Sequence, residues 1–226
     1  MKEIGIKIDS AQFKKLSLSY HDELSTLEKE IWTLSGEKEH FNIASPKQLG
    51  EILFVKMGLA GKRQKKTATG NFSTKESELE KIKDLSPIIP LILKHRELSK
   101  LLGTYIDPLP TLVKEDGRVH ATFLQAGAAT GRMASTDPSL HNIPNTGERG
   151  RSIRKAFVAE KGFKIVTFDY SQIELRIAAF LSGDTKMIDV FLKGEDIHTR
   201  VASEVFGVAK ELVTKDMRRQ AKVINF

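Results

Sequence analysis

The sequence predicts an α+β protein. Helical patterns fill the first hundred residues, strand-like stretches occupy the middle, and a second group of capped helices follows. The longest helical pattern covers residues 9–35. Phe13, Leu16, Tyr20, Leu24, Leu27, Ile31 and Leu34 recur at three- and four-residue steps, and Gly36 ends the run. A single apolar stripe on a long helix predicts packing against a partner helix. Ser45-Pro46-Lys47-Gln48 reads as a capping box with proline at the first helical position. It opens a second helix through Leu49, Ile52 and Leu53 that closes near Gly58. Ser73 and Glu76 predict a third start of the same kind, and a fourth helix runs from Pro87 to Tyr105.

Between the second and third helices lies a glycine-bounded loop, 61–70. It carries Lys62, Arg63, Lys65 and Lys66 and no acid. Such a loop suits contact with a phosphate backbone, which positions a nucleic acid without reading its sequence. A solvated loop would carry the same charges, and the run alone leaves both accounts open. The net charge of +7 also makes a polyanionic partner plausible. The absence of cysteine excludes disulfides and thiolate metal sites. No apolar run approaches a membrane span. The charged N-terminus, Met-Lys-Glu-Ile-Gly-Ile-Lys-Ile-Asp, is unlike a signal peptide.

Pro108 and Pro110 mark a boundary, and Asp116-Gly117 is a turn signal before a predicted strand, Arg118 to Leu124. Residues 125–144 are rich in small and hydroxyl side chains, with Arg132 and Asn142 among them. A structureless connection of this length inside a compact domain points to function. Arg149, Arg151, Arg154 and Lys155 form a basic patch ahead of a predicted strand, Ala156 to Ala159. Lys164 to Phe168 is β-branched and aromatic and predicts a short buried strand that Asp169 ends. Ile173, Ile177, Phe180 and Leu181 then recur at helical spacing. Asp169 has two readings. Aspartate is a favoured N-cap, and spacing alone favours that account. A carboxylate fixed between strand and helix also has the rigidity that a metal ligand needs.

Thr185 to Leu192 predicts a short helix. Asp196 caps another, with His198 in its first turn, where exposed N–H groups favour an anion. Thr214 caps a final helix on which Arg218, Lys222 and Phe226 are spaced four apart. At about 100° per residue they share a face. Two cations and an aromatic there would suit a triphosphate and a stacked base. An ordinary amphipathic helix is the plainer account.

Three segments occur in order: Thr130-Gly131-Arg132 with Asp137-Pro138-Ser139-Leu140-His141-Asn142-Ile143-Pro144; Asp169 to Arg176; and Arg218-Arg219-Gln220-Ala221-Lys222 with Asn225-Phe226. Together they resemble the polymerase domain of family A, the bacterial DNA polymerase I family, over essentially the whole chain. The resemblance implies a helical thumb over 1–115, the first part of an antiparallel palm over 116–195 and the first fingers helices over 196–226. It implies a DNA-directed DNA polymerase that adds deoxynucleoside triphosphates to a primer, a cytoplasmic monomer with no membrane partner. Asp169, Arg218 and Lys222 match catalytic positions. Asp169 and the Tyr170 carbonyl match ligands of a pair of Mg²⁺ ions, for which oxygen donors are suited. Tyr170, Ser171, Gln172, Glu174, His198, Arg218, Lys222 and Phe226 match the nucleotide site, with Glu174 excluding a ribose 2′-hydroxyl. Arg132, Asn142 and Arg154 match contacts to primer-template DNA, with Lys62, Arg63, Lys65 and Lys66 at the thumb tip. Position 141, usually glutamine in this pattern, is His141 here, which weakens that match.

The resemblance also implies a piece of a longer chain. The second catalytic carboxylate belongs to a later palm hairpin with a His-Asp-Glu motif. His21-Asp22-Glu23 copies the letters but sits on the first helical stripe, so a helix-face role is expected for it. The isolated chain is expected to be inactive, with an uncovered apolar palm face. A module that binds primer-template without catalysis is the alternative. A single-subunit RNA polymerase relative is a weaker one, which Glu174 argues against.

Overall fold

The computed structural model describes every residue except 1, 38, 61–64, 68, 69, 146, 225 and 226. It divides into two compact units, residues 1–165 and 166–226. The fold is α+β: helices dominate, and the strands form two small antiparallel sheets. Among the described residues, no helix is long and apolar enough to cross a membrane.

In the first unit, strand β1 (Ile6–Lys7) leads into the long helix α1 (Ser10–Ser35). Asp9 caps its start by accepting from the Gln12 amide at 3.0 Å, and Gly36 ends it in the left-handed conformation. The stripe Phe13, Leu16, Tyr20, Leu27 and Ile31 is buried as the spacing predicts, while Leu34 at its end is exposed. The partner is α4 (Ile88–Leu101), reached through α2 (Pro46–Gly50) and α3 (Glu76–Leu79). Two apolar clusters line the α1–α4 pair. One gathers Phe13, Leu16, Tyr20, Leu98, Tyr105 and Leu109. The other gathers Ile31, Leu49, Leu53, Leu79, Ile89 and Ile92.

Local capping departs from the sequence expectation in two places. Ser45 accepts from the Gln48 amide at 3.4 Å, but the Gln48 side chain accepts from Asn42 rather than from Ser45. Ser73 accepts from the Lys75 amide at 3.4 Å, two residues on, so α3 begins at Glu76 without a side-chain cap. Both α2 and α4 continue into wider π-helical turns, Glu51–Lys56 and Leu102–Ile106.

Beyond α5 (Pro108–Thr111) the predicted Arg118 to Leu124 strand is two strands serving two sheets. β2 (Arg118–Val119) pairs with β1, and β3 (Thr122–Leu124) pairs with β4 (Ala134–Thr136). The chain changes partner at His120-Ala121, which a pattern of apolar residues along one stretch does not reveal. The expected structureless connection is therefore partly regular: it holds β4 and a 3₁₀ turn, Leu140–Asn142. After α6 (Gly147–Lys155), the predicted Ala156 to Ala159 strand reduces to a single bridge between Phe157 and Ile8. It is flanked by bonds from Asp9 N to Ala156 O (2.7 Å) and from Val158 N to Lys7 O (3.0 Å).

His21 and Glu23, from the tripeptide that copies a catalytic motif, make structural contacts. His21 meets Asp107 at 3.0 Å, and Glu23 pairs with Lys94 at 2.9 Å and Arg149 at 2.7 Å. The Glu23 carboxyl is held below its ordinary value, first by its Lys94 partner.

The second unit is helical: α7 (Ile173–Ser182), α8 (Thr185–Leu192), α9 (Ile197–Phe206) and α10 (Lys215–Ile224). The expected buried strand over Lys164 to Phe168 is absent. These residues are irregular and exposed, Phe168 to 92%. A strand needs a ladder partner as well as β propensity, and among the described residues none pairs with this segment. The stripe Ile173, Ile177, Phe180 and Leu181 does form one helix, but its side chains are exposed.

Candidate nucleotide-binding site

The second unit builds its polar centre around Asp196. Its carboxylate caps α9 by accepting from the Thr199 amide at 3.0 Å and from the Thr199 hydroxyl at 2.6 Å. That satisfies backbone donors that the first helical turn would otherwise leave unpaired. The same carboxylate accepts from Gln172 Nε2 at 2.7 Å and from both edges of the Arg218 guanidinium, Nε at 2.6 Å and Nη2 at 3.1 Å. Asp196 thus ties together the start of α9, the start of α10 and the residue ahead of α7. Burial alone would raise its carboxyl. The bonds from Arg218, Thr199 and Gln172 outweigh that and hold it well below the usual carboxylate range.

Packing of α9 on α10 brings the predicted anion ligands into one neighbourhood. His198 is buried, 2% exposed. Burial pushes its imidazole below the ordinary value. The Arg218 and Lys222 charges act in the same direction, against Asp196. Three of the four residues matched to the triphosphate and base are therefore electrostatic neighbours. Lys222 itself is exposed on α10. Phe226, the fourth, lies outside the described residues.

Asp169 is exposed in an irregular segment and is not a helix cap. The N-cap of α7 is Gln172, in the left-handed conformation with φ 56°, and it makes no capping bond of its own. Its side chain goes instead to Asp196. Tyr170, Ser171 and Glu174 are also exposed. Asp169 and the Tyr170 carbonyl are oxygen donors of the type that Mg²⁺ takes, but Mg²⁺ demands about six ligands in octahedral array. The described residues contain no group of three or more carboxylate or imidazole side chains able to hold a metal. On their own, these residues do not fit a complete metal site.

The residues matched to DNA contacts lie in the first unit. Arg132 is exposed just ahead of β4. Asn142 is exposed, and its backbone carbonyl accepts from the buried Tyr105 hydroxyl at 2.6 Å. His141, also exposed, accepts at Nδ1 from the Ser135 amide (3.2 Å), with the Ser135 hydroxyl 2.7 Å away. A backbone amide can only donate, so the neutral ring carries its proton on Nε2. His141 therefore offers one N–H donor, where a glutamine amide would offer two. Arg154 donates to the carbonyls of Pro144 (3.0 Å) and Ile143 (3.1 Å), and Arg149 pairs with Glu23 and Glu97. Arg154 braces the segment after Asn142, and Arg149 ties α6 to α1 and α4. Lys65 and Lys66 are exposed, Lys66 with its ammonium 5.3 Å from the Phe72 ring centre. Lys62 and Arg63 lie outside the described residues.

The profile of DNA polymerase family A matches residues 10–226. The chain belongs to this family. It is 48% identical to the thermostable DNA polymerase I of Thermus caldophilus over 229 residues, 100% of this chain and 27% of that protein. It is 46% identical to the DNA polymerase I of Deinococcus radiodurans over 227 residues, 100% of this chain and 23% of that protein. The chain thus spans about a quarter of the length of these relatives. Among solved structures it resembles the POL domain of Pol1 from M. smegmatis, in complex with DNA primer-template and dNTP. The TM-score is 0.88 at 38% identity, over 98% of this chain and 39% of that one.

Two contacts in the site have no signal in the sequence. Asp196 was legible as a helix cap but not as the partner of Arg218. The two are 22 residues apart, with no periodic relation between them. The approach of Gln172 to Asp196, across 24 residues, is equally silent in the sequence.

Proposed function

We propose that the chain is the thumb (1–115), first palm part (116–195) and first fingers part (196–226) of a DNA-directed DNA polymerase. Its substrates would be a primer-template and deoxynucleoside triphosphates. The observation that supports this most directly is the grouping of His198, Arg218 and Lys222 around the start of α9, in a family A chain. That group combines donors and positive charge at a helix N-terminus, which suits a triphosphate. In this reading Arg218 and Lys222 hold the phosphates and offset charge that develops on the leaving pyrophosphate. His198, kept neutral by burial, donates one N–H. Glu174 stands against a ribose 2′-hydroxyl, which selects deoxynucleotides. The proposal includes a magnesium pair, to which Asp169 and the Tyr170 carbonyl contribute two oxygen ligands. Arg132, His141 and Asn142 would touch the primer-template, His141 through its Nε2 proton to a minor-groove acceptor.

Binding and chemistry separate in the test. Affinity of the 226-residue chain for a primer-template duplex, read by fluorescence anisotropy, is expected to fall linearly in log–log form with salt. Each phosphate contact by Lys or Arg contributes about 0.9 to the slope. A salt response close to flat would sink the DNA-binding reading. Templated extension with Mg²⁺ is not expected from this chain, because the described residues contain no group of three or more carboxylate or imidazole side chains able to hold a metal. Extension that Asp169→Ala abolishes would overturn that expectation.

A further inference from the structure

We infer that Asp196 is a positioning residue for the nucleotide site, holding Arg218 side-on so that the outer end of its guanidinium fork addresses the anion. The inference rests on the proposed role of Arg218 and adds to it a residue that sets the orientation of that side chain. A guanidinium has five N–H donors in a rigid plane. Asp196 takes the Nε hydrogen at 2.6 Å and one Nη2 hydrogen at 3.1 Å. Both Nη1 hydrogens and the second Nη2 hydrogen are not used by Asp196. An arginine gripped along one edge has lost its rotational freedom but not its donors.

The grip is itself braced. Oδ2 also accepts from the Thr199 amide and hydroxyl, and Oδ1 from Gln172. The carboxylate therefore cannot turn to follow Arg218 without breaking the cap of α9. His198 is two residues on, in the first turn of that helix. One carboxylate thus fixes both the helix start and the arginine, two of the positive features of the site. A latch that competes with the ligand is the opposite hypothesis. There, Asp196 would neutralise Arg218 and would have to release it before an anion binds.

The two hypotheses predict opposite signs. The measurement is titration of the 226-residue chain with magnesium–dATP by calorimetry, alongside the melting temperature of each variant. Asp196→Asn and Asp196→Ser both retain good capping residues but lose the charge and the two-point grip. They are expected to lose less melting temperature than Asp196→Glu and to bind magnesium–dATP roughly 5- to 10-fold more weakly, the scale of one hydrogen bond. This weakening would come despite removal of a negative charge beside an anion. Asp196→Glu keeps the charge but caps poorly, so it should lose melting temperature and retain more affinity than either. The Arg218 Nε–H resonance should be sharp in the wild type and exchange-broadened in Asp196→Asn.

Equal or tighter binding by Asp196→Asn and Asp196→Ser overturns the inference in favour of a latch. Affinity that tracks melting temperature across the three variants overturns it in favour of a merely structural role. If Arg218→Ala leaves affinity unchanged, the nucleotide reading of this site fails as well. If Arg218→Ala weakens binding and the Asp196 variants do not, only the positioning role fails.

Discussion

Arg218→Ala should weaken the binding of magnesium–dATP to this chain by about 10- to 100-fold, the range for losing hydrogen bonds to a charged group. Two losses add. The guanidinium no longer meets the phosphates, and the Asp196 carboxylate, stripped of its partner, now repels them. Arg218→Lys should fall between, because an ammonium keeps the charge but lacks the planar fork that both Asp196 and a phosphate engage. Calorimetric titration measures all three, and affinity within twofold of wild type for Arg218→Ala would refute the role. The same variant alters acid stability. The folded Asp196 carboxyl lies below its unfolded value of 3.8. Its stabilising contribution is therefore complete above that value and is lost as pH falls toward the folded one. Without Arg218, much of that contribution disappears at all pH values, so the difference in melting temperature should shrink in strong acid.

The second large effect lies in the first unit. Phe13→Ala is expected to destabilise that unit by about 3–5 kcal/mol, the usual cost of removing a buried phenyl ring and leaving a cavity. Phe13 is fully buried and meets Phe157 edge-on, with ring centres 6.0 Å apart and planes at 85°. The cavity would open where α1, the end of α4 and the segment after α6 converge, so no single neighbour can collapse into it. Leu34→Ala, at the exposed end of the same stripe, should cost only about 0.5 kcal/mol. Trp32 is the only tryptophan, stacked on His40 at 3.9 Å, so its fluorescence follows this unit alone during urea unfolding. Similar costs for the two variants would show that the stripe is not packed as described.

Legibility followed the range of the interaction. Helices α1, α4, α8, α9 and α10 could be read because their signals are local. Apolar spacing, Asp196 and Thr214 as caps, and Gly36 as a stop all act within one or two turns, as do the Asp9 and Asp184 caps that the structure adds. Strands fared worse because a ladder needs a distant partner. Arg118 to Leu124 has two partners and splits, whereas Lys164 to Phe168 has none among the described residues and stays irregular. The candidate site divides in the same way. Arg218 and Lys222 share a helix face that the sequence displays, but the carboxylate that governs Arg218 is on another helix. Arg149 and Arg154 read as a basic patch and turn out to be largely spent on Glu23, Glu97 and two carbonyls. Charge counts cannot distinguish a cation facing solvent from one bracing a loop.

The bond from Tyr105 to the Asn142 carbonyl has a mechanical consequence. Tyr105 is the last residue but one of a continuous helical rod, Ile88 to Ile106, 19 residues and therefore about 28 Å long. Near the middle of the rod, Arg96 holds Thr74 through its hydroxyl at 3.1 Å. The rod is thus tied to Thr74 at mid-length and to Asn142 at its end. Asn142 is therefore anchored to a helix and not to a flexible linker, so its backbone shifts only when the rod shifts with it.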